Sequence, residues 1–536
     1  MRGRMMQTPL LISSLIEHAG RVYGTQEIVS RTVEGPIHRY TWLDARNRSI
    51  QLAQALGAHG ITAGDRIGTL GWNTYRHLEL YYGISGMGAV CHTLNPRLHP
   101  TELVYIVNHA EDRILFVDLT FVPLAEAVAD KLPGVERYVV LTDSENMPET
   151  ALSNAIAYED FIAGSDGDYE WPVLDEGEAA ALCYTSGTTG HPKGALYTHR
   201  STVLHAFGVA MPDVFNMRPS TCVLPIVPLF HACSWGIAYS APLAGAKIVF
   251  PGPRYDPEAL TDLMTAESVN YCAGVPSVFI PLVQYWRDHG NKPPSLAMAV
   301  MGGTAPPPSL CAALEEDFGI EFRHAWGMTE MSPLGTVNTL MPEHRALPLE
   351  QRRIFQTKQG RPPFGVEVRI VDDDGNRLPH DGIVFGELQV RGPWVIQSYF
   401  KDDESRLTED GWFPTGDVAT IDSQCYIHIT DRSKDLIKSG GEWISSIDVE
   451  NTAMGHDDIV MAAVIGIPDE RWDERPILIA VAAPDSNPTK ESVLEHLAGT
   501  LAKWQLPDEV YFVDELPMGA TGKVQKTKLR EQYAAE

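Results

Sequence analysis

The chain has 536 residues, 42 Lys and Arg against 70 Asp and Glu, a formal charge of −28, with 44% hydrophobic and 21% charged residues. That length, several times the roughly 100–200 residues of an average domain, requires more than one folded unit and excludes a small stapled scaffold or a disordered chain. The acidic excess, with no basic run against it, argues against nucleic acid and anionic membrane as partners; an anionic substrate must meet a local basic site.

The N-terminal segment MRGRMMQTPLLISSLIEHAG is interrupted by Glu17 and His18 and reads as an amphipathic first helix, not a leader peptide. Residues 1–180 then alternate helical stretches such as SIQLAQALGAHG (49–60) with short strand-like runs, RILFVDL (113–119) and RYVVLTD (137–143). Such alternation predicts helices flanking a largely parallel sheet. Between 222 and 304 it returns in CVLPIVPLF, AKIVF, NYCAGVP and LAMAVMGG, each stopping at Pro or Gly, where ligand loops leave a sheet. The uncharged stretch 219–246 is broken by prolines and His231 and is read as buried strand, loop and helix pieces. From about 360, GVEVRIVDDDGNRL and GELQVRGPWV read as hairpins around a DG turn. After DRSKDLIKSGGEW (431–443), a helix (447–454), strands (460–468, 477–484), a helix (490–502) and a strand (509–517) make a compact second unit. Seven scattered cysteines, never in a CxxC pair, fit reduced thiols and a cytoplasmic location.

The most informative segment is YTSGTTGHPKGALYTH (184–199), which directly follows the apolar run AALCY. Glycines 187, 190 and 194, the hydroxyls of Thr185, Ser186, Thr188 and Thr189, and the Lys193 cation form a loop of donors suited to a polyphosphate. Because Lys193 is followed by Gly194 and spaced differently from the glycines, the loop is not a Walker loop.

This loop, with HAWGMTE (324–330), GELQVRGPWVIQSYF (386–400), GWFPTGDVA (411–419), DRSKDLIKSGGEWIS (431–445) and LPMGATGKVQK (516–526), resembles the adenylate-forming superfamily of acyl-CoA synthetases and firefly-luciferase-like enzymes. The resemblance implies an α/β fold: a large N-terminal domain (1–431) of two α/β sheet subdomains plus a β-rich subdomain, and a small mobile α+β C-terminal domain (432–536). It implies ATP, Mg²⁺ and coenzyme A as reactants and cofactors, and a small carboxylic acid as the partner substrate. The sequence leaves oligomeric state open, a homodimer being one option.

Residue by residue, the resemblance implies that Thr185, Ser186, Gly187, Thr188, Thr189, Gly190 and Lys193 bind the phosphates. Gly303, Thr304, Trp326, Gly327, Met328 and Thr329 border the nucleotide, and Asp417 holds the ribose with Arg432. Thr185 and Glu330 are implied as metal-supporting residues, since a carboxylate beside a hydroxyl suits Mg²⁺ on phosphate oxygens. Lys523 is implied as the catalytic cation on the carboxylate and α-phosphate, and Lys434 as a hinge. Lys438, Gly440, Gly441, Glu442 and Trp443 would then line the CoA side.

The acyl pocket is expected from His231, Trp235, Gly302, Met328 and Pro333. His231, by resemblance, gates the carboxylate, and Trp235, four residues on, is expected on the same helix face, where its ring shortens the cavity. Apolar lining without a second cation favours a short or medium aliphatic acid. The GGEWIS string resembles medium-chain acyl-CoA ligases, and the N-terminus and NPRLHP resemble a bacterial branch with 3-methylmercaptopropionate–CoA ligases. That thioether acid suits Trp235, Met328 and Met331 through sulfur contacts. A luciferase-type oxygenase, a carrier-protein-loading module and a non-catalytic nucleotide binder are the competing classes.

Overall fold

The computed structural model describes residues 3–185, 191–439, 442–469, 471–484, 486–519 and 524–533, the side chains of 442 and 443 excepted. Helix Ile12–Val22 turns Ile12, Leu15, Ile16 and Ala19 to the core at helical spacing. It is shorter than the expected N-terminal helix. The Leu10 amide donates instead to Glu176 at 2.8 Å and Leu11 is extended, so the chain before Ile12 is committed to a long-range contact. Helix Trp42–Ala58 begins earlier than its apolar periodicity shows, because Thr41 and Asp44 form a reciprocal capping box.

Two large sheets carry the N-terminal part. One has eight strands in the order Leu334–Val337, Glu321–Gly327, Met298–Gly302, Tyr271–Gly274, Cys222–Pro225, Lys247–Phe250, Glu27–Arg31 and Ile37–Thr41. The other runs Ile156–Ala157, Arg137–Val140, Asp112–Val117, Arg66–Leu70, Val90–Thr93, Ala179–Thr185 and Lys193–Thr198. Interior pairs are parallel, as expected from the alternation, and antiparallel pairs stand at the edges. One antiparallel edge pair, Ala179–Thr185 with Lys193–Thr198, brackets the glycine-rich loop.

A four-stranded antiparallel sheet follows: Glu367–Val371, Phe385–Arg391, Phe413–Ile421 and Ile427–Arg432. The first two strands pair as expected, but the DG turn only closes a local Val371–Arg377 bridge inside a longer connection. Between Arg432 and Ile437 the chain crosses into a last sheet of five strands: Ile437–Ser439, Glu442–Ile444, Ile459–Asp469, Asp473–Ala482 and Glu509–Phe512. Helix Lys490–Ala498 is shorter than expected, Gly499 and Thr500 being poor helix formers, and the last strand stops at Phe512. Strands Ile437–Ser439 and Glu442–Ile444 are too short, and helix Lys526–Tyr533 carries too few apolar residues, to have been read from periodicity.

The main core lies between the two large sheets, where helix Tyr75–Gly86 is buried at every position. Its Glu79 is fully buried, held by Arg48 Nε at 2.8 Å and the Tyr158 hydroxyl at 2.6 Å. Burial pushes the Glu79 carboxyl up, and Arg48 opposes that shift. Arg48 also pairs with Glu159, which pairs with Arg76, which reaches Glu34. Removing one member strands a buried charge. Arg48→Met is therefore expected to destabilise the N-terminal part by about 3–5 kcal/mol, read as a lower first thermal transition. The double variant Arg48→Met with Glu79→Gln should recover most of the loss.

Candidate active site

Several of the sequence-predicted residues lie where the parallel strands of the eight-stranded sheet end. Gly302 and Gly303 close the strand Met298–Gly302, and Trp326 to Glu330 leave the next one. A Cβ on Gly302 would lie 2.7 Å from the Ala325 carbonyl and 3.3 Å from Trp235 Cη2, so only glycine permits this approach. A Cβ on Gly327 would fall 1.9 Å from the Pro333 carbonyl, which also accepts the Met328 amide at 3.0 Å. Gly302 thus packs against Trp235, and Gly327 and Met328 pack against Pro333, with Thr304 exposed two residues after Gly302.

His231 and Trp235 do not share a helix face. Ala232, Cys233, Ser234 and Trp235 have φ of 41°, 53°, 53° and 54°, and Gly236 has 77°: the segment is one left-handed turn. Left-handed geometry for L-residues costs about 1–2 kcal/mol each, so tertiary contacts must impose it. Two are visible. The Ser234 hydroxyl donates to the Val227 carbonyl at 2.9 Å, and His205 packs tightly on Gly236. His205 Nε2 accepts the Leu334 amide at 3.2 Å, and burial pushes its pKa down to about 3, so it stays a neutral acceptor. His231 is half-buried at the entrance of the turn, and Trp235 is 7% exposed.

Asp417, 3% exposed, takes Trp326 Nε1 at 3.0 Å and Arg432 Nε at 2.7 Å. Asp417 and Arg432 are cross-strand partners, so sheet register sets this pair. Thr185 and Lys193 face each other across the antiparallel pair at the loop ends. Ser186, Gly187, Thr188, Thr189 and Gly190 between them lie outside the described residues, as do Gly440, Gly441 and Lys523. Glu330, 6% exposed, accepts the Tyr399 hydroxyl at 2.7 Å, and the Lys193 ammonium lies 5.0 Å from the Tyr399 ring centroid. The Thr329 carbonyl accepts the Tyr197 hydroxyl at 2.6 Å. Thus Tyr399 and Tyr197 tie the Thr329–Glu330 turn to the loop strands. Lys434 and Lys438 are exposed on the segment that leaves Arg432, and Lys438 and Trp443 are cross-strand partners.

A buried acceptor pinned between an indole and a guanidinium, near a carboxylate, a lysine and a hydroxyl-ended loop, defines a nucleotide-handling α/β enzyme site. The chain belongs to the AMP-binding enzyme family: the family model matches residues 16–400, and that of the AMP-binding enzyme C-terminal domain matches 448–523. It is 50% identical over 533 residues to the 3-methylmercaptopropionyl-CoA ligase of Ruegeria lacuscaerulensis, covering 99% of both chains. The medium-chain-fatty-acid–CoA ligase of Ectopseudomonas oleovorans is 48% identical (99% and 98% covered), and the long-chain-fatty-acid–CoA ligase of Thermus thermophilus 43% (99% and 96%). Among solved structures, the anthranilate CoA ligase AuaEII with anthranoyl-AMP superposes with a TM-score of 0.85 at 25% identity over 98% of both chains. The fold is the mixed α/β architecture of these adenylate-forming enzymes.

The residues also fit magnesium. Among the described residues no group of three or more acidic, His or Cys side chains gathers, but Mg²⁺ is commonly held by one or two carboxylates together with substrate phosphates and water. Glu330 supplies a carboxylate oriented by Tyr399. Sequence reasoning passed over Tyr399 and His205, whose aromatic signal is that of ordinary core residues. Tyr399→Phe should leave the melting temperature unchanged and raise about tenfold the Mg²⁺ concentration needed for half-maximal ATP binding by calorimetry.

Proposed function

We propose that this ATP-dependent acid–CoA ligase activates a short- to medium-chain aliphatic acid, with 3-methylmercaptopropionate the best-fitting substrate. The observation that carries the reading is the Trp235 ring against Gly302, the residue that ends the strand Met298–Gly302. An indole there shortens the space for an acyl chain, and a thioether gains sulfur–aromatic contact. Relatives named for 3-methylmercaptopropionyl and medium-chain acids lend support. A medium-chain fatty acid is the second reading; an aryl acid would have to stack on Trp235.

In this mechanism the acid's carboxylate attacks the α-phosphorus of ATP, pyrophosphate leaves, and the acyl-AMP anhydride carries a good leaving group. The CoA thiolate then attacks the acyl carbon and AMP departs. Negative charge accumulates on phosphate oxygens, so positioning and electrostatics dominate. Asp417 accepts from the ribose hydroxyls, and Arg432 holds its carboxylate in place. Lys193 and the hydroxyls at 185, 186, 188 and 189 hold the β- and γ-phosphates, and Lys523 contacts the carboxylate and α-phosphate. His231 orients the carboxylate. Mg²⁺ on Glu330 and Thr185 would neutralise phosphate charge. Residues 1–431 form the adenylation domain and 432–536 a mobile domain that turns about Lys434, exchanging Lys523 for the Lys438–Trp443 face.

Pyrophosphate release over a panel from propionate to laurate, 3-methylmercaptopropionate and benzoate, with and without CoA, tests the reading. Release dependent on a short acid, with the matching thioester formed, is the expected result; a preference for laurate would overturn the short pocket. Lys523→Ala should lower acyl-AMP formation at least 10³-fold with ATP binding retained, measured by acid-dependent pyrophosphate exchange. Trp235→Ala should shift the optimum chain length upward by several carbons, read from kcat/KM across the same acids.

A further inference from the structure

The strand Ile427–Arg432 belongs to the four-stranded sheet, yet its Asp431 carboxylate, 1% exposed, is engaged by the C-terminal unit. Asp431 Oδ2 accepts the backbone amide of Ser446, the first residue of helix Ser446–Ala453, at 2.7 Å. The Ser446 hydroxyl in turn accepts from Lys526 Nζ at 2.5 Å, and Lys526 pairs with Glu450 at 2.6 Å. Beside this chain the Ser445 hydroxyl donates to the Thr430 carbonyl at 2.5 Å. Burial pushes the Asp431 carboxyl up and Lys526 opposes it. On the far side of Lys434, Asp435 is tied to Arg530 of the last helix at 2.7 Å, so the exit of the segment moves with the C-terminal unit.

The contacts within the C-terminal unit, Lys526–Glu450 and Asp435–Arg530, need no partner outside it. The contacts of Asp431 and Thr430 do, and they lie on the side of Lys434 that carries Arg432. We propose that Asp431, Ser446 and Lys526 form a latch that holds the C-terminal unit on the ribose-binding strand in one of its two working arrangements. These are positioning residues and touch no substrate. The inference rests on the reading of Lys434 as the pivot.

The charges suit a latch that opens. Closed, it sets two carboxylates, the buried Asp431 and the half-buried Glu450, against one ammonium, Lys526. Open, Asp431 returns to water and Lys526 keeps Glu450 as a matched pair. Rehydration of Asp431 offsets the lost hydrogen bonds, and two states remain close in free energy.

The test compares Asp431→Asn with the charge-balanced double variant Lys526→Met with Glu450→Gln, melting temperature being checked for each. Both half-reactions are measured on the full chain: acid-dependent pyrophosphate exchange, and thioester formation from supplied acyl-AMP and CoA. The expected result is a change of about three- to tenfold in the ratio of the two rates, in the same direction for both variants. Tryptic cleavage after Arg432 or Lys434 should accelerate alongside. An unchanged ratio with unchanged cleavage, or shifts in opposite directions, overturns the latch. Absence of thioester formation by the unsubstituted enzyme would instead strike the ligase reading itself, so the two failures are distinguishable.

Discussion

The Asp417 carboxylate is the interaction on which the rest of the site depends. It receives an indole N–H from a strand of the eight-stranded sheet and a guanidinium from the strand that leads out to the C-terminal unit. Its own amide is held by Thr415 Oγ1 at 3.1 Å. A carboxylate so far out of water is stable only while its hydrogen bonds are complete. That requirement fixes where Trp326 points and where Arg432 leaves its sheet. The position of the segment that follows Arg432 is therefore a consequence of satisfying one buried charge.

The same economy governs the opposite end of the site. A left-handed turn at 232–236 is costly by itself, and nothing in Ala-Cys-Ser-Trp favours it. It persists because Ser234 is bonded to Val227, His205 fills the space against Gly236, and the Leu334 amide occupies the imidazole acceptor. Trp235 reaches Gly302 only through that turn; a right-handed turn would send the ring elsewhere. A strained turn, supported by a neutral buried histidine, is a way of holding a bulky side chain in one place.

Much of this was legible in the sequence, for identifiable reasons. Runs such as CVLPIV and LAMAVMGG combine β-branched or apolar strands with Pro or Gly stops, and the parallel strands end at those stops. The Asp417–Arg432 pairing was legible only as two separate motifs, since register across two strands is not written in either of them. The turn at 232–236 was not legible: spacing of four residues reports a helical period, but handedness is decided by contacts from 205 and 227. Tyr399 escaped for another reason. It ends a segment rich in aromatic residues, and only the position of Glu330 distinguishes it from a packing residue.

An acidic protein that handles ATP has to confine its cations, and here they are confined by geometry more than by number. Lys193 stands over an aromatic ring at a strand end, and Arg432 is clamped to a buried carboxylate. Lys434 and Lys438, both exposed, follow on the same segment. With the surface repelling anions, an anionic substrate is favoured only where several of these cations act together. Three of the four lie within a seven-residue stretch that crosses from one sheet to another, so the course of that crossing sets how positive charge is spread around the Asp417 carboxylate. Charge and connection are then one device: the segment that carries these cations also joins the two sheets, and Arg432, fixed to Asp417, anchors its start.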